Sequence, residues 1–541
     1  MSESFDYVVI GSGSAGAVVA ARLSEDPRVS VLLLEAGGAG RHPLLAMPIA
    51  FRTMAESRTY SWCYETEPEP GLNGRTLEIP RGRTLGGTSS INAMIAIRGH
   101  PRDYDLWAQQ GLEGWSYAEV LPYFRRLERS WRGEGPYHGG DGPIRISPMD
   151  DPDLLYEPLR QAAMAAGVGV SDDPNGPVQE GISRMEATIG GGVRSSTARG
   201  YLGPARGRPN LTIRTGALTT RILIERGRAV GVEYARGGAP ARVRAEREVV
   251  LCAGTYNSPQ ILMLSGIGPA DHLRSVGVEP VLDLPGVGEN LAEHPNLLML
   301  FETRDKVGLT RSLRFDRAAW HAARWLLTRQ GPFSRNGAAS NIFLRTREGL
   351  ERPDVQLINM SVHNYANLWF PGLTPPPLYA FSVRLGPLHP QSRGWVRLRS
   401  ANPADKPRIR FNMLTVQEDM DTTIRAIRAC RDIYGQSPQR ELIEREVFPG
   451  AQVSGDAELT ELIRQNAGHR SHPVGTCRMG LDPAAVVDAQ LRVHGIEGLR
   501  VADASIMPEL PGGNTNLPSI MIGEKASDLL RGRALPAAEF A

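Results

Sequence analysis

The sequence predicts an α/β protein with a parallel βαβ unit at its start and a second, sheet-based region in its later half. Residues 5–37 read as a buried strand, a tight turn, a helix and another buried strand. Residues 211–235 read as a β-meander. Residues 300–460 instead alternate proline-rich turns with short strands, and hold a helical stretch near 417–435. The chain has 541 residues, which is too long for one ordinary domain, so two or more domains are expected.

Composition places the chain among globular proteins and gives no sign of a charged partner. It is 41% hydrophobic and 22% charged, with a formal net charge of +2 and no long run of one sign. Nucleic acid is therefore not expected as a partner. The four cysteines are widely spaced without a CxxC pair, which predicts no disulfide framework. We expect a cytoplasmic protein, because no secretory leader and no apolar run of about 20 residues is visible. We expect it to be a monomer or a homodimer.

The βαβ unit carries a glycine pattern typical of dinucleotide-binding sites. FDYVVI at 5–10 is followed by GSGSAG, by a helical segment and by the strand VSVLLLEAG at 29–37. The first glycine allows the turn, the second admits a pyrophosphate, and the third lets helix and strand pack closely. Helix N–H groups would meet the phosphates. The predicted contacts at this end are Gly11, Gly13, Ser14, Ala15, Gly16, Glu35 and Ala36.

Glu35 ends the second strand, where a carboxylate would accept hydrogen bonds from ribose hydroxyls. A solvated strand end is the alternative for this residue. The glycine pattern itself does not separate FAD from NAD. The loop GRTLGGTSSINAM, with Gly82, Gly86 and Gly87, favours FAD because its backbone can lie against a large flat ligand. The apolar tail INAMIAI argues against the alternative of a flexible surface loop.

Five sequence blocks resemble the glucose–methanol–choline (GMC) oxidoreductases, flavoenzymes that oxidise alcohols. They are GRTLGGTSSINAMIAIRG, GTYNSPQILMLSGIG, VGENLAEH, VADASIMP and NTNLPSIMIGEKA, in that order along nearly the whole chain. The resemblance implies a discontinuous Rossmann-like FAD-binding domain. It also implies a substrate domain with an antiparallel sheet backed by helices, which covers the isoalloxazine ring. The expected divisions are 1–150, 195–300 and 465–541 for FAD, and 151–194 and 301–464 for the substrate.

The same resemblance implies which positions contact FAD. A histidine that carries covalent FAD in some members is replaced by Ile91, so we expect FAD to be bound non-covalently. A turn-stabilising role is the alternative for the aspartate of VADAS. The implied contacts are Leu85, Asn92 and Ala93 along the flavin, Leu218 near the adenine, and Asp503 and Ala504 near the ribitol and pyrophosphate.

The segment HRSHPVGTCRMG, which starts at His469, holds the candidate base. His472 could be a packed structural residue, or a metal ligand with His469, although Pro473 disfavours a continuous helix and no third ligand is evident. Alcohol oxidation needs a base that removes the hydroxyl proton, and histidine suits that task with a pKa expected near neutrality. By resemblance, His472 is that base and Asn516 its partner, which directs the substrate oxygen. Arg470 could favour an anionic substrate, stabilise reduced flavin or point outward.

We therefore expect FAD-dependent oxidation of a primary alcohol to an aldehyde, with hydride transfer to flavin N5. Oxygen or a quinone would reoxidise the flavin. A non-oxidative lyase or decarboxylase of the same family is one alternative, and an NAD-dependent dehydrogenase or a non-catalytic dinucleotide-binding module is another. The alcohol itself stays open between aryl, aliphatic, sugar and amino alcohols, including choline. The candidate pocket walls are Trp62, Tyr64, Phe333, Asn336, His363, Asn364, Tyr365 and Trp369.

Overall fold

The computed structural model describes residues 3–363 and 366–540. Asn364 and Tyr365, two candidate pocket residues, lie outside the described residues. The strands in chain order are β1 Ser4–Ile10, β2 Val31–Glu35, β3 Tyr64–Glu65, β4 Glu78–Ile79, β5 Glu128–Ser130, β6 Ile144–Pro148, β7 Gly181–Arg184, β8 Glu186–Ala187, β9 Ile189–Gly190, β10 Val193–Arg194, β11 Leu211–Thr215, β12 Ala217–Glu225, β13 Arg228–Arg236, β14 Ala239–Leu251, β15 Ile267–Gly268, β16 Leu282–Asp283, β17 Pro295–Thr303, β18 Ala338–Leu344, β19 Val355–Met360, β20 Ala380–Pro387, β21 Trp395–Arg397, β22 Arg408–Arg410, β23 Ile443–Phe448, β24 Gly468–His469 and β25 Leu499–Val501.

The α-helices lie between and around these strands, together with short 3₁₀ turns. In chain order they are α1 Gly16–Leu23, α2 Phe51–Ala55, α3 Pro101–Gln109, α4 Tyr117–Leu127, α5 Tyr156–Ala165, α6 Gly203–Ala205, α7 Gly254–Leu264, α8 Ala270–Ser275, α9 Phe315–Thr328, α10 Gln417–Tyr434, α11 Asp456–Asn466 and α12 Asn516–Leu530. None of the helices in residues 3–363 and 366–540 is long and apolar enough to cross a membrane.

The first sheet has seven strands in the order β11-β2-β1-β14-β13-β12, with β25 also paired to β14. Strands β1, β2, β11, β14 and β25 pair in parallel, whereas β13 runs antiparallel to both of its neighbours. Strand β2 is buried along its whole length, as expected for a parallel strand covered on both faces. Helix α1 packs against α12, so the two ends of the chain build one layer.

One local prediction differs from the structure. The sequence pattern predicted a meander over residues 211–235, and β12, β13 and β14 do form an antiparallel meander. Strand β11 does not join it: it pairs in parallel with β2. Gly216, with φ +66°, turns the chain between β11 and β12, and its N–H donates to the carbonyl of Gly37. The turn lets consecutive strands of the sequence take separate positions in the sheet.

The second sheet is antiparallel, in the order β23-β17-β20-β19-β18-β7, with β24 also paired to β17. Helix α10 packs on β19 and β20 and also contacts α5 and α11. Successive side chains along each strand point to opposite faces of the sheet. Leu297 and Leu385 pack into the core with α10, whereas Leu298 and Arg384 line the cavity on the other face. The predicted fold class, an α/β domain plus an antiparallel sheet backed by helices, is confirmed.

The predicted domain divisions can be compared with these strands. The strands of the first sheet all lie within 1–150, 195–300 and 465–541. The predicted boundary at residue 300 falls inside β17, and β24 pairs with the second sheet although it lies in the segment assigned to the first domain. The predicted boundaries thus do not coincide with the limits of the two sheets, and the exact division stays a prediction.

Candidate active site

A cavity of about 1990 Å³ lies between the two sheets. One end is formed where β1, β2 and β14 finish, and the opposite wall is the open face of the second sheet. Ligands of α/β sheets bind beyond the carboxyl ends of parallel strands, and this cavity lies at such an edge. It is larger than a typical small-molecule pocket of roughly 300–1,000 Å³, so a dinucleotide and a substrate can share it.

The glycines of GSGSAG shape the nucleotide end of the cavity. A Cβ on Gly16 would lie 1.9 Å from the carbonyl oxygen of Gly11, and one on Gly11, whose φ is +91°, would lie 2.5 Å from that of Cys252. A Cβ on Gly13 would meet no atom within 4 Å and would project into open space. Gly11, Gly13, Ser14 and Ala15 line the cavity, so the start of α1 presents backbone to a ligand.

Glu35 lies buried at the end of β2 and also lines the cavity, together with Ala36. One carboxylate oxygen accepts from the Ser12 N–H at 3.1 Å and the Ser12 hydroxyl at 2.6 Å, and the other accepts from the Gly37 N–H at 2.7 Å. Burial raises the pKa of this carboxyl. A carboxylate has about four acceptor positions. Three are occupied, so one is left for a hydroxyl donor such as a ribose.

The loop of residues 82–91 packs directly on the dinucleotide-binding turns. A Cβ on Gly87 would lie 2.7 Å from the Cα of Gly13, and one on Gly37 would lie 2.0 Å from the carbonyl oxygen of Arg83. The Gly86 N–H donates to the Ser12 carbonyl at 2.9 Å. Only glycine permits this backbone-to-backbone approach. The loop is therefore a rigid wall of the cavity and not a flexible surface segment.

The predicted flavin contacts fall into two groups. Ile91, Asn92 and Ala93 follow the glycine loop onto the cavity wall, and Leu218, Asp503 and Ala504 reach it from other segments. Leu85 differs from the prediction: its side chain is buried in the main hydrophobic core and does not line the cavity. Its N–H donates to the Gly38 carbonyl, which ties this part of the loop to the chain that follows β2.

Asp503 joins two structural elements at the cavity. One carboxylate oxygen accepts from the Gly254 N–H at 2.9 Å and the Ser258 hydroxyl at 2.6 Å, at the start of α7. The other accepts from the Ser505 N–H at 2.8 Å, the turn-stabilising contact that the sequence allowed as an alternative. Structural and cavity-lining roles are thus combined. An FAD molecule fits this end of the cavity. There is open space at Gly13, an acceptor position is left on Glu35, and the closely packed glycine loop forms the wall.

His472 lies at the other end of the cavity, where backbone geometry sets its direction. Ser471 before it has φ +64°, a conformation that non-glycine residues rarely adopt. Pro473 after it disfavours a helical conformation for His472. The His472 N–H donates to a carboxylate oxygen of Glu293 at 2.7 Å. The side chain is 8% exposed and lines the cavity.

Hydrogen bonds assign the tautomer of His472. Nε2 of His294 lies 2.9 Å from the carbonyl oxygen of Leu388, which can only accept, so this nitrogen carries a proton. Burial and nearby Arg470 lower the pKa of His294, so the ring is neutral and its Nδ1 is an acceptor. Nδ1 of His472 lies 2.9 Å from that atom and must donate to it. The Nε2 atom of His472 therefore carries a lone pair and no proton.

Asn514, and not the predicted Asn516, lies beside that lone pair. The Asn514 side-chain nitrogen is 3.0 Å from Nε2 of His472. Asn516 is the first residue of α12, and its oxygen accepts from the Ser14 hydroxyl at 2.8 Å, toward the nucleotide end. Successive residues of a helix turn by about 100°, so a shift of two positions at a helix start changes the direction of the side chain. The pairing of His472 with Asn516 is corrected accordingly.

Burial and neighbouring positive charge keep His472 unprotonated. Burial lowers its pKa most, followed by His294 and Arg470. The sequence argument expected a value near neutrality, and the structure places it well below the ordinary value. The carboxyl of Glu293 offsets the positive charge of Arg470 only weakly, because burial raises the pKa of that carboxyl to about 7. His472 is thus unprotonated at neutral pH, as a general base has to be before the reaction.

His469 has a structural role. Its Nε2 donates to the carbonyl of Glu78 at 2.8 Å, and its Nδ1 accepts from the Ser471 N–H at 3.0 Å. Both nitrogens are engaged within the protein. In the part of the chain that the structure describes, no group of three His, Cys, Asp or Glu side chains could hold a metal ion.

Most of the predicted pocket residues do line the cavity. They are Trp62, Tyr64, Phe333, Asn336 and His363. Trp369 does not, since its backbone pairs with Leu313 and Phe315 beside α9. The sequence reasoning assigned no role to His294, although the VGENLAEH block that contains it was recognised. It also missed Asn296 and Arg384, which lie on β17 and β20 and become neighbours of the site only through strand pairing.

Comparisons with known proteins agree with this geometry. Family models described as GMC oxidoreductase match residues 5–296 and 390–523. Oxygen-dependent choline dehydrogenases of Brucella anthropi and Klebsiella pneumoniae are 44% and 45% identical to the chain, with 98% of this chain and 96% of each relative covered. The chain belongs to the GMC oxidoreductase family. This GMC oxidoreductase is an FAD-dependent enzyme that oxidises an alcohol, as the sequence resemblance implied.

Solved structures are similar over almost the whole length. Pyridoxine 4-oxidase from Mesorbium loti is 33% identical with a TM-score of 0.85, covering 97% of this chain and 98% of that one. A formate oxidase variant of Aspergillus oryzae is 28% identical with a TM-score of 0.92, covering 98% of each chain. The GMC fold is thus shared with oxidases that act on different small molecules, so the substrate has to be inferred from the site itself.

Proposed function

We propose that this GMC oxidoreductase oxidises an uncharged primary alcohol to its aldehyde, with His472 as the general base. The observation that supports this most is that His472 Nε2 is unprotonated in the cavity. The His294–Leu388 hydrogen bond makes Nδ1 of His294 an acceptor, and His472 donates to it through its own Nδ1. When bound, FAD supplies the acceptor for the hydride that leaves the alcohol carbon. The hydroxyl proton goes to His472, and the remaining electron pair forms the carbonyl bond of the aldehyde.

Asn514 has the second role in this proposal. The Asn514 side-chain nitrogen, 3.0 Å from Nε2 of His472, carries two N–H bonds and can donate one of them to an alcohol oxygen that lies beside both groups. As the hydroxyl proton leaves, negative charge develops on that oxygen and a fixed donor stabilises it more than it stabilised the alcohol. The pair therefore both removes the proton and fixes the direction of the reacting oxygen.

The charges around His472 support an uncharged substrate. Two arginines, Arg470 and Arg81, are among the neighbouring groups that lower its pKa. The wall formed by the second sheet adds another basic residue, Arg384, which pairs with Leu298 on one neighbouring strand and with Ile358 on the other. A fixed cation such as a quaternary ammonium would be repelled in this surrounding. The oxygen of the Asn296 amide is buried on the wall without a partner among the described residues, and can accept from a polar substrate group.

Choline and 3,3-dimethylbutan-1-ol form a matched pair of substrates, because they have the same shape and differ in charge. Anaerobic mixing with the FAD-loaded enzyme should bleach the flavin with a higher second-order rate constant for the neutral alcohol. A clear preference for choline would contradict the proposed charge selectivity. Absence of bleaching by any primary alcohol, across a panel of aryl and aliphatic compounds, would contradict the proposed oxidation itself.

We further propose oxygen as the electron acceptor and non-covalent binding of FAD. The names of the relatives as oxygen-dependent enzymes and of the similar structures as oxidases support the first point. Ile91, on the cavity wall, has no nucleophilic atom for a covalent bond, which supports the second. Substrate-reduced enzyme should be reoxidised on mixing with air, with release of hydrogen peroxide. Reoxidation by a quinone alone would contradict the choice of acceptor.

A further inference from the structure

Arg470 is buried two residues before the candidate base, and its contacts are all on one side. Its Nη1 donates to the side-chain oxygen of Gln356 at 2.6 Å, and its Nη2 donates to the backbone carbonyl of the same residue at 2.8 Å. Gln356 pairs with Gly386 across β19 and β20. The same Nη2 lies 3.5 Å from the backbone carbonyl oxygen of Gly386. Arg470 is thus held against the second sheet and does not point outward.

The fork of Arg470 determines which way the Gln356 amide points. A guanidinium only donates, so it must face the amide oxygen. The amide nitrogen of Gln356 then points the other way, to the side-chain oxygens of Asn341 at 3.0 Å and Asn514 at 3.5 Å. Gln356 and Asn341 are fully buried, so water does not offer an alternative partner.

The orientation of Gln356 in turn determines that of Asn514. Because Gln356 presents a donor, Asn514 must present its oxygen to it, and its N–H₂ group then faces Nε2 of His472 at 3.0 Å. A flipped Asn514 would set a donor against the Gln356 donor and its oxygen against the His472 lone pair. Both contacts would be repulsive. Arg470 therefore sets the direction of every hydrogen bond from Gln356 through Asn514 to His472.

We propose that Arg470 and Gln356 are positioning residues that hold the Asn514 amide with its N–H toward the reacting alcohol oxygen. This inference rests on the proposed function of His472 and Asn514. Neither Arg470 nor Gln356 donates the critical hydrogen bond. They act by excluding the flipped amide, in which an oxygen would face the developing negative charge.

Two substitutions at one position separate positioning from simple packing. Gln356→Glu keeps the size and the contact to Arg470 but replaces the donor facing Asn514 by an acceptor, so Asn514 should flip. Gln356→Met keeps the length and removes both polar ends, so Asn514 keeps a choice of orientation. Positioning predicts that Gln356→Glu slows the limiting rate of anaerobic flavin reduction on the order of 10²-fold, as for loss of an oxyanion donor, and that Gln356→Met slows it less. FAD content and thermal midpoint show whether each variant folds.

The inference would be overturned if Gln356→Met reduced the flavin more slowly than Gln356→Glu. If Gln356 only filled space and paired with Arg470, Gln356→Glu would resemble the wild type and Gln356→Met would be the slower enzyme.

A second pair of variants, at Arg470, covers the case in which a Gln356 variant does not fold. Arg470→Lys keeps a donor for the Gln356 oxygen and should stay within about tenfold of the wild-type rate, whereas Arg470→Met frees Gln356 and should be slower. Equal rates for these two variants would also refute the role.

A resting-state measurement separates this inference from the proposed reaction. In the Gln356→Glu variant, the oxygen of Asn514 would face Nε2 of His472 and favour a proton there. Nitrogen NMR of the labelled histidines, with His472 assigned by difference from His472→Gln, should show the Nε2 signal move toward the protonated position. An unchanged signal would refute the positioning role. A normal rate of flavin reduction in His472→Ala would refute the base role without affecting this NMR result.

Discussion

Replacing His294 by leucine tests the proton assignment on which the proposed mechanism depends. His294 Nδ1 accepts the Nδ1 proton of His472 at 2.9 Å, and both rings are buried. Without that acceptor, the tautomer with its proton on Nδ1 leaves a buried donor unsatisfied, at a cost of about 1–3 kcal/mol. Since about 1.4 kcal/mol is a factor of ten, the fraction of His472 with a free Nε2 lone pair should fall roughly 5- to 150-fold.

The control for this experiment is His294→Asn. The side-chain oxygen of asparagine can occupy the place of the imidazole Nδ1 and accept the same proton, whereas both variants lose the donor to the Leu388 carbonyl. Stopped-flow anaerobic reduction by a saturating primary alcohol gives the limiting rate for each. We expect His294→Leu to fall by the factor above and His294→Asn to stay within about tenfold of the wild type. Equal rates for the two variants, at equal FAD content, would refute the tautomer argument.

Three further predictions follow from the site. Burial lowers the pKa of His472 well below the ordinary value of 6.5. The rate of flavin reduction should therefore begin to fall only at a pH well below 6.5, where His472 becomes protonated. A pH profile whose acid-side midpoint lies above 6.5 would contradict the proposed environment. Gly16→Ala should destabilise the apoprotein, since its Cβ would lie 1.9 Å from the Gly11 carbonyl oxygen. Gly13→Ala should leave the thermal midpoint of the apoprotein nearly unchanged but weaken FAD binding. Equal effects of the two variants on stability would contradict the assignment of open space at Gly13. Acid precipitation should release the flavin into the supernatant, and yellow colour that stays with the pellet would refute non-covalent binding at Ile91.

Much of the cofactor end of the cavity could be predicted from the sequence because its signals are local. The strand, the glycine turn and the helix of residues 5–23 follow from hydrophobic periodicity and from backbone approaches that only glycine permits. Glu35 could be placed for the same reason, as the last residue of a short buried strand. Leu85 was misplaced because a side chain in an irregular loop has no periodicity that shows which way it faces.

The reacting end was decided by tertiary structure. His294 and His472 are 178 positions apart, and Gln356 and Arg470 are 114 apart, so no local pattern links them. The choice between Asn514 and Asn516 depended on where α12 begins, which sequence signals place only to within a few residues. The sequence by itself determined that a histidine and an amide would be near the C-terminus. Only the packing of the second sheet against that segment decided which nitrogen carries the proton and which asparagine faces it, because hydrogen-bond polarity passes through contacts between distant strands.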